Sequence, residues 1–219
     1  MKTVSELQNR LLALGFNPGP VDGLVGPTTA KALSDAILSG KMQISDPILV
    51  AAKRDFLETP TRRNINDVYG TPKYRESTKN DGRIVILNSA VWQKNFCQIV
   101  VDIVGMAKPI NLMVHKKIAC QVLGAFAEIE VKNKALPESE RWVPKRIDCY
   151  CPRHNQWDTA MPLTVHTWAA AIDIDPTENM PHQPTSIPAW AIHILQTWGA
   201  IWGGDWNKYP DPMHFQWMR

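Results

Sequence analysis

The run Leu163-Thr164-Val165-His166-Thr167-Trp168-Ala169-Ala170-Ala171-Ile172-Asp173-Ile174-Asp175-Pro176 sets one histidine and two aspartates in an otherwise apolar stretch. From Ala170 it alternates with a period of two. As a strand over 170–175, Ala171, Asp173 and Asp175 share one face, and Ala170, Ile172 and Ile174 the other. A carboxylate so placed needs a strong partner, because burying a bare charge is very unfavourable. His166 can meet Asp173 across a turn. Further on, Asp211-Pro212-Met213-His214-Phe215-Gln216-Trp217 brings a second histidine behind another carboxylate, and 213–217 alternates like a strand. Two histidines and one aspartate suit one zinc ion whose fourth position stays open to water. A hydrogen-bonded core His–Asp pair would leave the same trace in the sequence. Strict alternation would turn Asp211 and His214 to opposite faces, and Pro212 supplies an irregularity that can bring them together.

Working outward, residues 188–201 read as a helix with Trp190, Ile194, Leu195 and Trp198 on one side. Residues 112–131 show helical spacing through Val114, Ile118, Val122, Leu123 and Phe126, and Ile84-Val85-Ile86-Leu87 is a short buried run. The polar, turn-rich segment 58–83 reads as linker or as loops entering a second domain. Helices first and strands late predict an α+β fold. It comprises a small three-helix N-terminal module over 1–62, linker included, and a domain over 63–219 with an antiparallel sheet flanked by helices.

The 219 residues carry 24 basic and 21 acidic side chains. The excess is +1 over residues 1–62 and +2 over 63–219, so neither part has the basic stripe of a nucleic-acid reader. No apolar run reaches the roughly 18 residues of a bilayer span, which argues against membrane insertion. Met1-Lys2-Thr3-Val4-Ser5-Glu6 has no apolar stretch behind its lysine and does not read as a secretory signal. Cys97, Cys120, Cys149 and Cys151 are too few for a disulfide scaffold and read as reduced structural thiols. Eight of the nine tryptophans lie in the last 80 residues, as core fillers, as walls of a cleft, or as both.

In the N-terminal part, Val4, Leu7, Leu11 and Leu14 give a helix over 4–16 that ends near Gly15. A loop dense in Gly, Pro and Asp follows over 17–27. Pro27 then opens a second helix with Ala30, Leu33 and Ile37 on its apolar face. Two short helices bury little, so a third must close the core, and 47–57 is the candidate. Leu7-Gln8, Leu11, Leu14-Gly15-Phe16, Gly19, Asp22-Gly23, Gly26, Thr29 and Ala32-Leu33 resemble the peptidoglycan-binding type 1 repeat over about residues 4–37. The aromatic-Gln pair that usually closes that family's last helix is missing. The resemblance implies bacterial peptidoglycan as the partner.

A second resemblance rests on His166-x(2)-Ala169-x-Ala171-x-Asp173 and the later His214. It is to the M15 zinc peptidases, which comprise D,D-carboxypeptidases, vancomycin-resistance dipeptidases and phage L-alanyl-D-glutamate endolysins. Thr164 stands where that family has Ser, and Ala169 where it has Gly; neither position is a metal ligand. Trp202-Gly203-Gly204-Asp205-Trp206 followed by Asp211-x-x-His214 is especially similar to the endolysin branch. The resemblance implies that His166, Asp173 and His214 hold one Zn²⁺. It makes Asp211 the general base, and gives Arg153 the developing oxyanion or the acidic stem peptide.

The expected activity is therefore a monomeric peptidoglycan-degrading endopeptidase cutting the L-Ala–D-Glu bond. By that resemblance it is made in a host cytoplasm and released to the wall through a holin-made lesion. A D-alanyl-D-alanine carboxypeptidase on the same site is the nearest alternative, and a non-catalytic wall-binding protein with structural zinc the other. Asp175 reads as an acceptor behind the ligands or as solvent-exposed, and Asp205 as a turn former. His115, His182 and His193 read as ordinary core or surface histidines, while His154 adjoins Arg153 near the cleft.

Overall fold

The computed structural model describes residues 2–56, 59–79 and 81–219. Its N-terminal helices form where the spacing of apolar residues places them. Helix α1 (Lys2–Ala13) buries Val4, Leu7 and Leu11, and the chain turns at Gly15 with φ +87°, a left-handed conformation that favours glycine. Helix α2 (Pro27–Leu38) starts on a proline and buries Ala30, Leu33 and Ile37. Helix α3 (Pro47–Phe56) closes this group by packing on α1. Gln8, fully buried on α1, ties down the loop between α1 and α2. Its amide donates to the carbonyls of Pro20 and Leu24 and accepts the N–H of Gly23.

Segment 58–83 is more than a linker. It holds helix α4 (Ile65–Tyr69), whose Ile65 and Tyr69 are buried, and strand β1 (Tyr74–Glu76), which pairs antiparallel with β2 (Ile84–Ile86). That hairpin lies at the surface: of the run read as buried, Ile84 is covered while Leu87 is 60% exposed. A four-residue helix, α5 (Ser89–Trp92), leads into β3 (Phe96–Val101), which pairs in full register with β4 (Ile110–His115). The helix expected over 112–131 is therefore a strand followed by a helix, α6 (Ala119–Ala135). In Leu112, Val114 and Ile118 the two periods overlap, and pairing with β3 decides between them. Strands thus occur well before the last third of the chain.

The second sheet is four-stranded and antiparallel, ordered β5 (Ile147–Asp148), β6 (Ala171–Ile174), β8 (His214–Gln216), β7 (Ile201–Trp202). Helix α7 (Ala189–Thr197) precedes β7 and buries Ala191, Ile194 and Leu195, with Trp198 just beyond its end; Trp190 is half-buried. The fold is α+β, with helices packed around small antiparallel sheets.

Helix α6 is the central strut. It packs on α2 on one side and α7 on another, and one apolar cluster runs from Leu7 to Met218. Gly124 of α6 makes the α7 side possible, because a Cβ there would lie 2.2 Å from the Trp198 ring. One turn on, Glu128 accepts from Trp198 Nε1 at 2.7 Å and pairs with Lys53 of α3 at 2.8 Å. Among the described residues no helix is long and apolar enough to cross a membrane.

Candidate metal centre

Asp173 and His214 meet because they are directly opposed in the β6–β8 ladder, where side chains of a cross-strand pair share one face. His166 comes from the 3-10 turn Val165–Trp168 just before β6. That turn ends at Ala169 with φ +49° and ψ +35°. Glycine takes this left-handed conformation freely; alanine adopts it at about 1–2 kcal/mol. His166 Nε2 lies 3.1 Å from Asp173 Oδ2, His214 Nδ1 lies 2.9 Å from Asp173 Oδ1, and the two ring nitrogens are 3.2 Å apart.

The outer hydrogen bonds decide what the inner atoms can do. His166 Nδ1 faces the Cys149 carbonyl at 2.6 Å, and a carbonyl only accepts, so Nδ1 carries the hydrogen and Nε2 presents a lone pair. Gln216 donates its amide to the Met218 carbonyl at 2.7 Å, which turns Oε1 towards His214 Nε2 at 3.0 Å. His214 Nε2 is then the donor and Nδ1 the lone pair. Two nitrogen lone pairs and a carboxylate converge with no hydrogen between them, a repulsive arrangement unless a cation fills it. Their separations match the roughly 3.3 Å between neighbouring ligand atoms of a tetrahedral zinc with arms of about 2.0 Å. His166, Asp173 and His214 are a group able to hold a metal ion.

Electrostatics agree. Burial would raise the Asp173 pKa, but the His166 and His214 imidazoles outweigh it and hold the carboxyl well below the usual range. Burial would lower the His214 pKa, but the hydrogen bond and charge of Asp173 raise it above the ordinary histidine value. A proton and a metal ion are thus alternative occupants of one lone pair.

Asp211 precedes β8 rather than lying in it, so strand alternation does not govern it. Its N–H donates to the Gly203 carbonyl at 2.9 Å, and its own carbonyl accepts the His214 N–H at 3.0 Å. Gly203 permits this approach, since a Cβ there would meet the Asp211 oxygen at 2.6 Å. The Asp211 Oδ1 atom is buried and, among the described residues, has no hydrogen-bond partner. Burial raises the Asp211 pKa above the usual carboxylate value, opposed by the neighbouring His214. Trp206 packs against the His214 ring at 5.3 Å between centroids.

Arg153 lies with Asp173, Asp211 and His214 along one cleft of about 480 Å³, whose walls include Trp157 and Trp206. Its guanidinium sits 4.6 Å over the Trp157 ring, Nη1 donates to the His154 carbonyl, and its buried Nε has no partner among the described residues. A larger groove of about 790 Å³, lined by α2, β3 and α6, shares no residue with this cleft.

The remaining candidates fall elsewhere. Asp175 is buried and accepts the N–H groups of Lys145 and Arg146 at 2.7 and 2.8 Å, so it holds a loop instead of facing the ligands or solvent. Asp205 closes a short 3-10 turn and accepts from Gln196. His115 is buried between the Tyr69 carbonyl and the Lys117 N–H, with burial pulling its pKa down to about 4. His154 pairs with Glu76 of β1, while His182 and His193 are exposed. The four cysteines are free thiols, and burial pushes Cys120 up to about 12.

Gln216 is the residue that sequence reasoning missed. Its signal was present, because two positions along a strand return to the face of His214. Gln216→Leu removes the acceptor that holds the His214 tautomer, and affinity for a divalent metal ion is expected to fall about 10–100-fold. Titration with a competing chelator measures it, and unchanged affinity would refute this role.

Residues 157–217 match the family model of M15 peptidases described as D-alanyl-D-alanine carboxypeptidase, and residues 1–36 match that of a peptidoglycan binding domain. No curated protein and no solved structure matches the chain. The two family matches support a peptidase that acts on the bacterial cell wall.

Proposed function

We propose that this protein is a zinc-dependent endopeptidase of the endolysin type that cuts peptidoglycan stem peptides at the L-Ala–D-Glu bond. Residues 1–62 serve as the wall-binding module and 63–219 as the peptidase. The observation that carries this reading is the convergence of His166 Nε2, His214 Nδ1 and the Asp173 carboxylate as three acceptors, two of them on a cleft that also holds the Asp211 carboxylate, whose Oδ1 has no partner among the described residues. A purely structural zinc site would have no use for that extra carboxylate.

In this mechanism His166, Asp173 and His214 would hold the ion, which would supply a water acidic enough to ionise near neutral pH and a Lewis acid for the scissile carbonyl. Asp211 takes the proton of the attacking water and returns it to the leaving amine. Its raised pKa makes it the stronger base for the first transfer. Arg153 has donors left for the oxyanion that develops on the carbonyl. Attachment of residues 1–62 to the wall raises the local concentration of an insoluble substrate without touching the chemistry.

A D,D-carboxypeptidase is the second reading, favoured by the description of the family matched over 157–217. Mass spectrometry of digested muropeptides separates the two. A new N-terminal D-Glu is expected; release of free D-Ala alone would establish the alternative.

A further inference from the structure

Arg62 lies outside both matched segments, yet it lines the same cleft as Arg153, Thr164 and Gln216. Its place there is built. The Arg219 backbone clamps its segment: the Arg219 N–H donates to the Pro60 carbonyl at 2.7 Å, and the Arg62 N–H donates to the Arg219 carbonyl at 3.2 Å. The side chain is fixed in turn, with Nη1 donating to the Leu163 carbonyl at 2.6 Å, three residues before His166.

That bond uses one of the five N–H donors of a guanidinium. Among the described residues, neither Arg62 nor Arg153 forms an ion pair. Of the carboxylates of the cleft, Asp173 is held by two imidazoles, while Asp211 feels the charge of Arg153 without pairing with it. Two guanidinium groups with unused donors on one cleft form a receptor for a carboxylate, which such forks bind in bidentate fashion.

We propose that Arg62 is a specificity-determining residue that, with Arg153, binds a free carboxylate on the substrate beside the scissile bond. The proposal rests on the stem-peptide reading above and names the group recognised. At an L-Ala–γ-D-Glu junction the leaving amine and the free α-carboxylate sit on the same carbon, so a cleft that cuts this bond must accommodate that charge. Stem peptides amidated there, with D-isoglutamine in place of D-Glu, keep the shape and lose the charge.

The test compares the two peptides on the zinc-loaded full chain. Binding is read from tryptophan fluorescence, since Trp157 and Trp206 line the cleft, and hydrolysis is read separately. The wild type is expected to bind the acid about tenfold or more tighter than the amide, as a charge-assisted pair implies. Arg62→Gln should bring that ratio close to one, and Arg62→Lys should keep part of it. A matching thermal melt shows that Arg62→Gln is folded. Equal wild-type affinity for both peptides, no binding of either, or an Arg62→Gln variant that keeps the wild-type ratio overturns the proposal. Selective binding of the acid without cleavage of either peptide would refute the endopeptidase reading and leave this one standing.

Discussion

Chelation of the metal, or replacement of His214 by alanine, is expected to take stem-peptide hydrolysis down by about 10³-fold or more, because even the outer partners of metal ligands are worth about 10–100-fold. Among the described residues His214 has no substitute, since Asp173 and His166 are the remaining members of the group. Metal content per chain and hydrolysis of purified wall material measure the effect. Zinc added back to the chelated wild type should restore activity and raise its melting temperature, since an ion that binds the folded state stabilises it. The melting temperature of His214→Ala should no longer respond to zinc, which separates loss of the ion from loss of the fold. Hydrolysis that survives both treatments would remove the metal from the mechanism.

Asp211→Asn is expected to slow hydrolysis by about 10²–10⁴-fold, the usual contribution of a positioned general base. The amide keeps the size of the side chain and cannot take a proton. Asp211 is no member of the His166–Asp173–His214 group, so the variant should still bind zinc at one ion per chain. Retained zinc with lost turnover is the signature of a proton-transfer role. A wild-type rate would place the base elsewhere.

Much of this architecture could be read before any coordinates. The first two N-terminal helices follow from apolar spacing and from their punctuation by Gly15 and Pro27, and the third, expected over 47–57, from the need to close their core. Local signals suffice there, because each helix closes its own hydrogen bonds. The stretch around β3 and β4 could not be read this way. Leu112, Val114 and Ile118 satisfy a helix and a strand equally, and only pairing with Phe96–Val101 selects the strand. Segment 58–83 reads as linker or as loops entering the second domain because it is polar and turn-rich, while two of its residues, Ile65 and Tyr69, dock α4 into the core.

Residue types and spacing bring His166, Asp173, His214 and Asp211 into view, since buried histidines and carboxylates carry a cost that demands a purpose, and the resemblance to the M15 peptidases is what implies their roles. Tertiary structure decided what those residues present to one another. The Cys149 carbonyl and Gln216 choose the ring nitrogens that face inward, Gly203 lets Asp211 approach, and the Arg219 backbone brings Arg62 to the cleft. Each of these depends on hydrogen bonds or close contacts between segments distant in the chain or across a turn, whose geometry exists only once the core has closed. A linear pattern records which groups are available; their directions are set by packing.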